Sequence, residues 1–149
     1  IGDRHLNNIL IDSQVGCVVH VDFSEAFWSL VHPDDEEDIP FRLTHEVMDV
    51  FRMLGTRGHE LFRQTCVEVL KAVREHRREV KSLLELMCVS GFLGFSPDNA
   101  RIVARFDRRA RGSVGGAVVS PDQQVDILVA QATSITNLSR VYFGWAPWL

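Results

Sequence analysis

The sequence predicts a mainly α-helical chain with one small β-hairpin near its start. Three observations carry that prediction. Ile9-Leu-Ile11 and Cys17-Val-Val19 are short apolar runs separated by Asp12-Ser-Gln-Val-Gly16, the pattern of two antiparallel strands joined by a turn. From Thr44 to Met87, apolar side chains recur at helical spacing, and they do so again after Ser120. The composition, 46% hydrophobic and 24% charged over 149 residues, suits a globular chain with one modest core.

The opening stretch carries the chemistry. Asp3, Arg4, His5, Asn7 and Asn8 form a loop of charged and amide groups ahead of the first strand. The second strand runs through His20 and Val21 to Asp22. Asn8 and Asp22 flank the strands from outside, so a hairpin brings them together. An amide oxygen and a carboxylate are hard ligands suited to Mg²⁺. Asp3 and His5 lie just upstream. A metal pair with a proton acceptor beside it is the layout that phosphoryl transfer needs.

The segment from Ser24 to Leu43 is irregular. It holds Phe27 and Trp28, the acidic run Asp34-Asp-Glu-Glu-Asp38, and prolines at 33 and 40 that disfavour a regular element. Thr44 is the expected N-cap of a first helix carrying Val47, Met48, Phe51 and Leu54, stopped by Gly55-Thr-Arg-Gly58. A second helix is expected from about Glu60, with Leu61, Phe62, Cys66, Val69, Leu70 and Val73 on one side. Charged residues from Arg74 to Glu79 interrupt the pattern, with His76 a surface or capping residue. A third helix resumes with Val80, Leu83, Leu84 and Met87 as core filler. Gly91-Phe-Leu-Gly-Phe95 reads as an exit loop.

A further helix over Asn99–Arg111 carries Arg101, Arg105, Arg108, Arg109 and Arg111 beside one acid, Asp107. That face is either solvated or a docking patch for an acidic partner or membrane lipid. Gly112-Ser-Val-Gly-Gly116 reads as a flexible linker. Ser120-Pro-Asp-Gln-Gln124 is a strong helix start, and Val125, Leu128, Val129 and Ala132 form its apolar stripe. Asn137-Leu138 then leads into Tyr142-Phe-Gly-Trp-Ala-Pro-Trp-Leu149, an aromatic tail where chain ends are usually polar.

The bulk numbers exclude some classes. A formal charge of −4 supplies no global basic field, so no direct nucleic-acid binding is expected. Cys17, Cys66 and Cys88 are widely spaced, which fits a reducing compartment and neither a disulfide framework nor a zinc site. No apolar run approaches the ~18 residues of a membrane span.

Gly2-Asp3-Arg4-His5-x-x-Asn8, followed after the hairpin by Asp22-Phe23, resembles the catalytic loop and metal motif of the phosphatidylinositol 3-kinase-related kinases, whose loop reads D-R-H. Pro40-Phe-Arg-Leu-Thr44 resembles the end of their activation segment. The resemblance implies the C-lobe part of a protein-kinase-like (PI3/PI4-kinase) fold. It implies Asp3 and His5 as the catalytic pair, either of which is the base. Asn8 and Asp22 would hold the Mg²⁺ (or Mn²⁺) that bridges the ATP phosphates. Arg4 would anchor the loop, and Asn7 would be incidental. The activation or substrate loop would include Ser24, Phe27, Pro40, Phe41 and Arg42. Ser24 stands where the family has glycine, which puts the hinge's positive φ in question. Acids in the loop favour a protein substrate over an anionic lipid headgroup, for which basic residues are expected.

Ser120 to Leu149 resembles the FATC domain that ends these large kinases. The match runs through Val125-Asp-Ile-Leu, Gln131-Ala-Thr-Ser134, Asn137-Leu138 and Tyr142-x-Gly-Trp-x-Pro147, with the target-of-rapamycin subfamily as nearest likeness. The implied organisation is a catalytic domain over residues 1–112, with catalytic loop 1–8, metal motif 20–24, activation loop 24–43 and helices 44–111. A linker at 113–119 and a FATC domain at 120–149 follow. Ser139 or Val141, with Ala146, stand where that subfamily often carries a cysteine pair, so a redox switch in the tail is not expected. The tail's aromatics either pack on the C-lobe or contact a membrane peripherally. Expected partners are protein substrates and accessory subunits of the target-of-rapamycin type. The expected location is cytoplasmic, with membrane association and the nucleus as alternatives. The chain starts inside a motif and holds no glycine-rich nucleotide loop. It is therefore expected to be the C-terminal part of a longer polypeptide and inactive by itself.

Overall fold

The computed structural model describes residues 4–23, 39–90, 99–141 and 144. Its described part is mainly helical, as the pattern predicts, with two small hairpins where the pattern predicts one.

The hairpin pairs β1 (Ile9–Ile11) with β2 (Val18–His20), in the register Ile9↔His20, Leu10↔Val19 and Ile11↔Val18. Asp12 organises the turn. Its Oδ1 accepts from the Gln14 N–H at 2.8 Å, its carbonyl accepts from the Gly16 N–H at 2.7 Å, and Gly16 takes φ +71°. Ile11, Val15 and Val18 on this hairpin are exposed.

The helices are α1 (His45–Met53), α2 (Thr56–Glu75), α3 (Arg77–Val89), α4 (Asn99–Ala110), α5 (Pro121–Ala132) and the short α6 (Ile135–Leu138). With 20 residues, α2 spans about 30 Å and is the axis of the group, touching α1, α3, α4 and α5. Thr44 is the N-cap of α1, but its hydroxyl donates to Glu46 at 2.9 Å instead of accepting a helix N–H.

Several expectations are corrected. Only Leu54 and Gly55, the latter at φ +69°, separate α1 from α2; Gly58 lies inside α2, where an added Cβ would sit 3.1 Å from Leu54 Cβ. Glycine there lets the helix corner close tightly. The charged stretch after Val73 does not interrupt the helix as a whole. The break is confined to His76, exposed at φ −95° and ψ 23°, because Arg and Glu are good helix formers whatever the apolar pattern does. The buried residue of α2 is Val67, whereas Leu61, Val69 and, in α3, Leu83 are exposed.

The expected linker is ordered. β3 (Ser113–Val114) and β4 (Ala117–Val118) form a second hairpin across Gly115-Gly116, at φ +56° and +85°. Two adjacent positive-φ residues make the tight turn that suits strand twist, which glycine adopts without strain. The start of α5 is as expected and more complete. Ser120 Oγ accepts from the Gln123 N–H at 3.2 Å while Gln123 Oε1 accepts from the Ser120 N–H at 3.0 Å, a full capping box. In α5, Val125 and Ala132 are buried, as the stripe requires.

The core lies where α5, α6 and the segment entering α1 meet. Leu43, Thr44, Val125 and Leu138 are the largest fully buried side chains. Ile39 packs with Leu138, and Val141 closes the cluster.

Candidate active site

The site grows out of the first hairpin. His5 is extended, at φ −71° and ψ 166°, and begins a single 3-10 turn over Leu6–Asn8 closed by the Asn8 N–H donating to the His5 carbonyl at 3.0 Å. Asn8 is buried. The strand ladder continues one step past its last pair, because the Val21 N–H donates to the Asn8 carbonyl at 3.1 Å. Asn8 therefore stands opposite Val21, and Asp22 comes next. The hairpin joins the two as its sequence pattern requires.

Arg4 holds this junction together. It is buried, and its Nη1 donates to the Val21 carbonyl at 2.9 Å and reaches the Asn8 carbonyl at 3.5 Å. Its Nη2 donates to the Asp22 carbonyl. The guanidinium also lies 5.4 Å from the centroid of the Phe23 ring, at cation–π distance. One side chain thus spans the catalytic loop and the residues on either side of Asp22. The sequence reading of Arg4 as an anchor is given a definite set of partners.

Asp22 has φ +55°, the only described non-glycine residue in the left-handed region. Sequence reasoning looked for positive φ at Ser24 instead. The signal available was residue type: Asp and Asn enter this region several-fold more often than other side chains.

The end of the loop is anchored too. Phe41 packs edge-on to Phe62 of α2 at 6.0 Å, and Arg42 Nη1 donates to the Arg4 carbonyl at 3.4 Å. Pro40, Phe41 and Arg42 are half-buried; burial pushes the Arg42 guanidinium below its ordinary value, and Glu46 opposes the shift. Asp3, Ser24 and Phe27 lie outside the described residues, as do the acidic run, residues 91–98 and the tail's aromatics.

The donor set fits a hard divalent cation. Asn8 carries an amide and Asp22 a carboxylate, on neighbouring stretches of backbone whose carbonyls Arg4 contacts. Among the described residues no group of three or more His, Cys, Asp or Glu could hold a metal ion. A pair of oxygen donors is what Mg²⁺ uses when water and substrate phosphates complete its shell.

Residues 1–96 match the family model for phosphatidylinositol 3- and 4-kinases. The chain belongs to that family. Residues 118–149 match the FATC domain. The chain is 34% identical to the serine/threonine-protein kinase ATR of Arabidopsis thaliana, over 99% of its own length and 6% of ATR. It is 35% identical to the serine/threonine-protein kinase MEC1 of Eremothecium gossypii over 99% of this chain, again 6% of the relative. Among solved structures, the FAT and kinase domain of CtTel1 superposes with a TM-score of 0.81 and 31% identity, over 100% of this chain and 11% of that one. A complete CtTel1 dimer with C2 symmetry matches equally well, over 6% of its chain.

The relatives correct the subfamily. The tail and the helical stretch from Val69 to Glu85 resemble target-of-rapamycin kinases, but the likeness to ATR, MEC1 and Tel1 runs through the whole chain. Two local stretches carry less information on subfamily than 149 residues do. The chain spans 6% of the length of the curated relatives it matches.

Proposed function

We propose that this chain supplies the catalytic loop, metal motif and FATC domain of a larger serine/threonine protein kinase related to ATR, MEC1 and TEL1, working on ATP with Mg²⁺. The observation that supports the reading is the hairpin junction, where the Asn8 backbone pairs with Val21, the residue before Asp22, and Arg4 contacts the carbonyls of all three. The relatives' own names as serine/threonine-protein kinases support it.

In this reading the substrate hydroxyl oxygen attacks the γ-phosphorus of ATP, and the bond to the β–γ bridging oxygen breaks. Asp3 or His5 takes up or orients the hydroxyl proton. His5 has an extended backbone at the start of the 3-10 turn. Asn8 and Asp22 hold the metal, which when bound neutralises charge on the phosphate oxygens. Arg4 and Arg42 keep the loop and the activation segment's end in register.

Phosphoinositide transfer is the competing reading, since those lipid kinases share D-R-H-x-x-N. The acidic run Asp34–Asp38 and the FATC match favour a protein hydroxyl. Exposed Ile11, Met53, Leu54 and Val89 suit a chain covered by other parts of a larger protein.

The test is Asp22→Asn in the full kinase polypeptide. Phosphate transfer is expected to fall on the order of 100-fold or more at every Mg²⁺ concentration. Activity within a few-fold of wild type would remove Asp22 from the metal site.

A further inference from the structure

Arg4 and Asp22 are joined by more than position. Asp22 is held in a backbone conformation that L-residues rarely adopt, at φ +55°. Such a residue persists only where its surroundings over-determine it. Arg4 provides those surroundings. Its fork takes the Val21 carbonyl with one nitrogen and the Asp22 carbonyl with the other, and its planar face meets Phe23. The carbonyls on both sides of the Asp22 nitrogen–carbon unit are therefore fixed by one rigid group. The peptide on each side of Asp22 cannot rotate without breaking one of these contacts.

The clamp is itself held from a distance. Arg42, 38 residues away in sequence, donates to the Arg4 carbonyl, and Arg42 belongs to the segment that Ile39 and Leu43 bury in the core. A chain of contacts thus runs from the buried end of the activation segment, through the Arg4 backbone and side chain, to the backbone of Asp22.

We propose that Arg4 is a positioning residue for Asp22: it fixes the left-handed backbone that aims the carboxylate at the metal, and Arg42 links that pose to the seating of the activation segment. The proposal rests on the reading of Asp22 as a metal ligand. Arginine is required by shape, because only its planar fork can reach both carbonyls while lying on Phe23; a lysine ammonium keeps the charge and loses the geometry. Groups that orient a metal ligand without touching the metal typically change metal affinity 10–100-fold when altered.

The experiment uses the full kinase polypeptide and a fluorescent ADP analogue, whose affinity is measured with and without Mg²⁺. The ratio is the metal-dependent gain. In Arg4→Lys the metal-free affinity is expected to stay within about twofold, while the gain falls about tenfold. The Mg²⁺ concentration for half-maximal kinase activity rises in step. Arg42→Lys and Phe23→Leu shift the gain in the same direction by less. A general structural defect would instead lower both affinities together. Equal loss in both, or an unchanged gain in Arg4→Lys, overturns the proposal. Phe23 is exposed, so Phe23→Leu carries the test should Arg4→Lys not fold; an unchanged gain there, with Arg42→Lys also unchanged, overturns it equally. Asp22→Asn separates the two claims. If it keeps the gain, the metal reading fails; if it loses the gain and Arg4→Lys does not, only the positioning role fails.

Discussion

Gln124 shows how much one buried amide decides. Its Nε2 donates to the Arg109 carbonyl at the end of α4 at 2.9 Å, and its Oε1 accepts from Arg74 Nη2 of α2 at 2.7 Å. A single residue of the FATC helix thereby satisfies groups on α2 and α4. Arg74 reaches it by crossing Gly112, where an added Cβ would overlap the guanidinium. Gly112 also has φ +73°. Gly112→Ala is therefore expected to destabilise by about 1–3 kcal/mol, from the strained backbone and the displaced arginine together. Chemical denaturation of the kinase and protease sensitivity of the FATC segment report the change; an unaltered midpoint would mean that Arg74 has another low-energy route. None of this was legible in the sequence, where Gln124 was part of a helix start and Gly112 part of a linker. By contrast the pairing that brings Asn8 opposite the residue before Asp22 was legible, because a two-strand pattern fixes what lies at its open end. The left-handed backbone at Asp22 was signalled by residue type alone, and its carbonyl's contact with a side chain 18 positions away was not legible.

Elements were legible where periodicity and punctuation agree. The α5 capping box and stripe agree, and the helix forms as read. At Gly112–Gly116 composition misled, because paired glycines serve a flexible linker and a tight hairpin equally well. The docking of α5 on α2 has an electrostatic part. Arg63 of α2 takes Asp126 through Nε at 2.7 Å and Nη2 at 2.9 Å, and Asp122 through Nη1 at 3.2 Å. This forked pair holds the Asp126 carboxyl below its usual range, chiefly through the hydrogen bond, and raises Arg63. A depressed carboxyl pKa stabilises the folded form above the unfolded pKa of about 4 and stops doing so as pH falls toward the folded value. The stability gap between wild type and Arg63→Met is thus expected to be equal at pH 7 and pH 5 and smaller at pH 3. Asp126 is exposed and Arg63 half-buried at the surface, so the gap is modest and shrinks in salt. A gap that widened on acidification would contradict the pairing; urea midpoints at each pH measure it.

At the scale of the molecule, the segment entering α1 meets the FATC part. It contributes Ile39 to a cluster with Leu138 and Val141, while Arg42 donates to the Arg4 carbonyl. The FATC part is built into the kinase fold through α2, α4 and this cluster. The fold class was legible at this scale because each helix carries its own signal. Which helix is central was not, since α2 acquires its role from four neighbours that no local pattern specifies. The most direct measurement of the central claim offers radiolabelled ATP and Mg²⁺ to the full kinase polypeptide, with a serine/threonine protein substrate and phosphatidylinositol side by side. Label on protein hydroxyls, lost in Asp22→Asn, is the predicted result. Label on the lipid alone, or on protein undiminished in Asp22→Asn, would contradict the account.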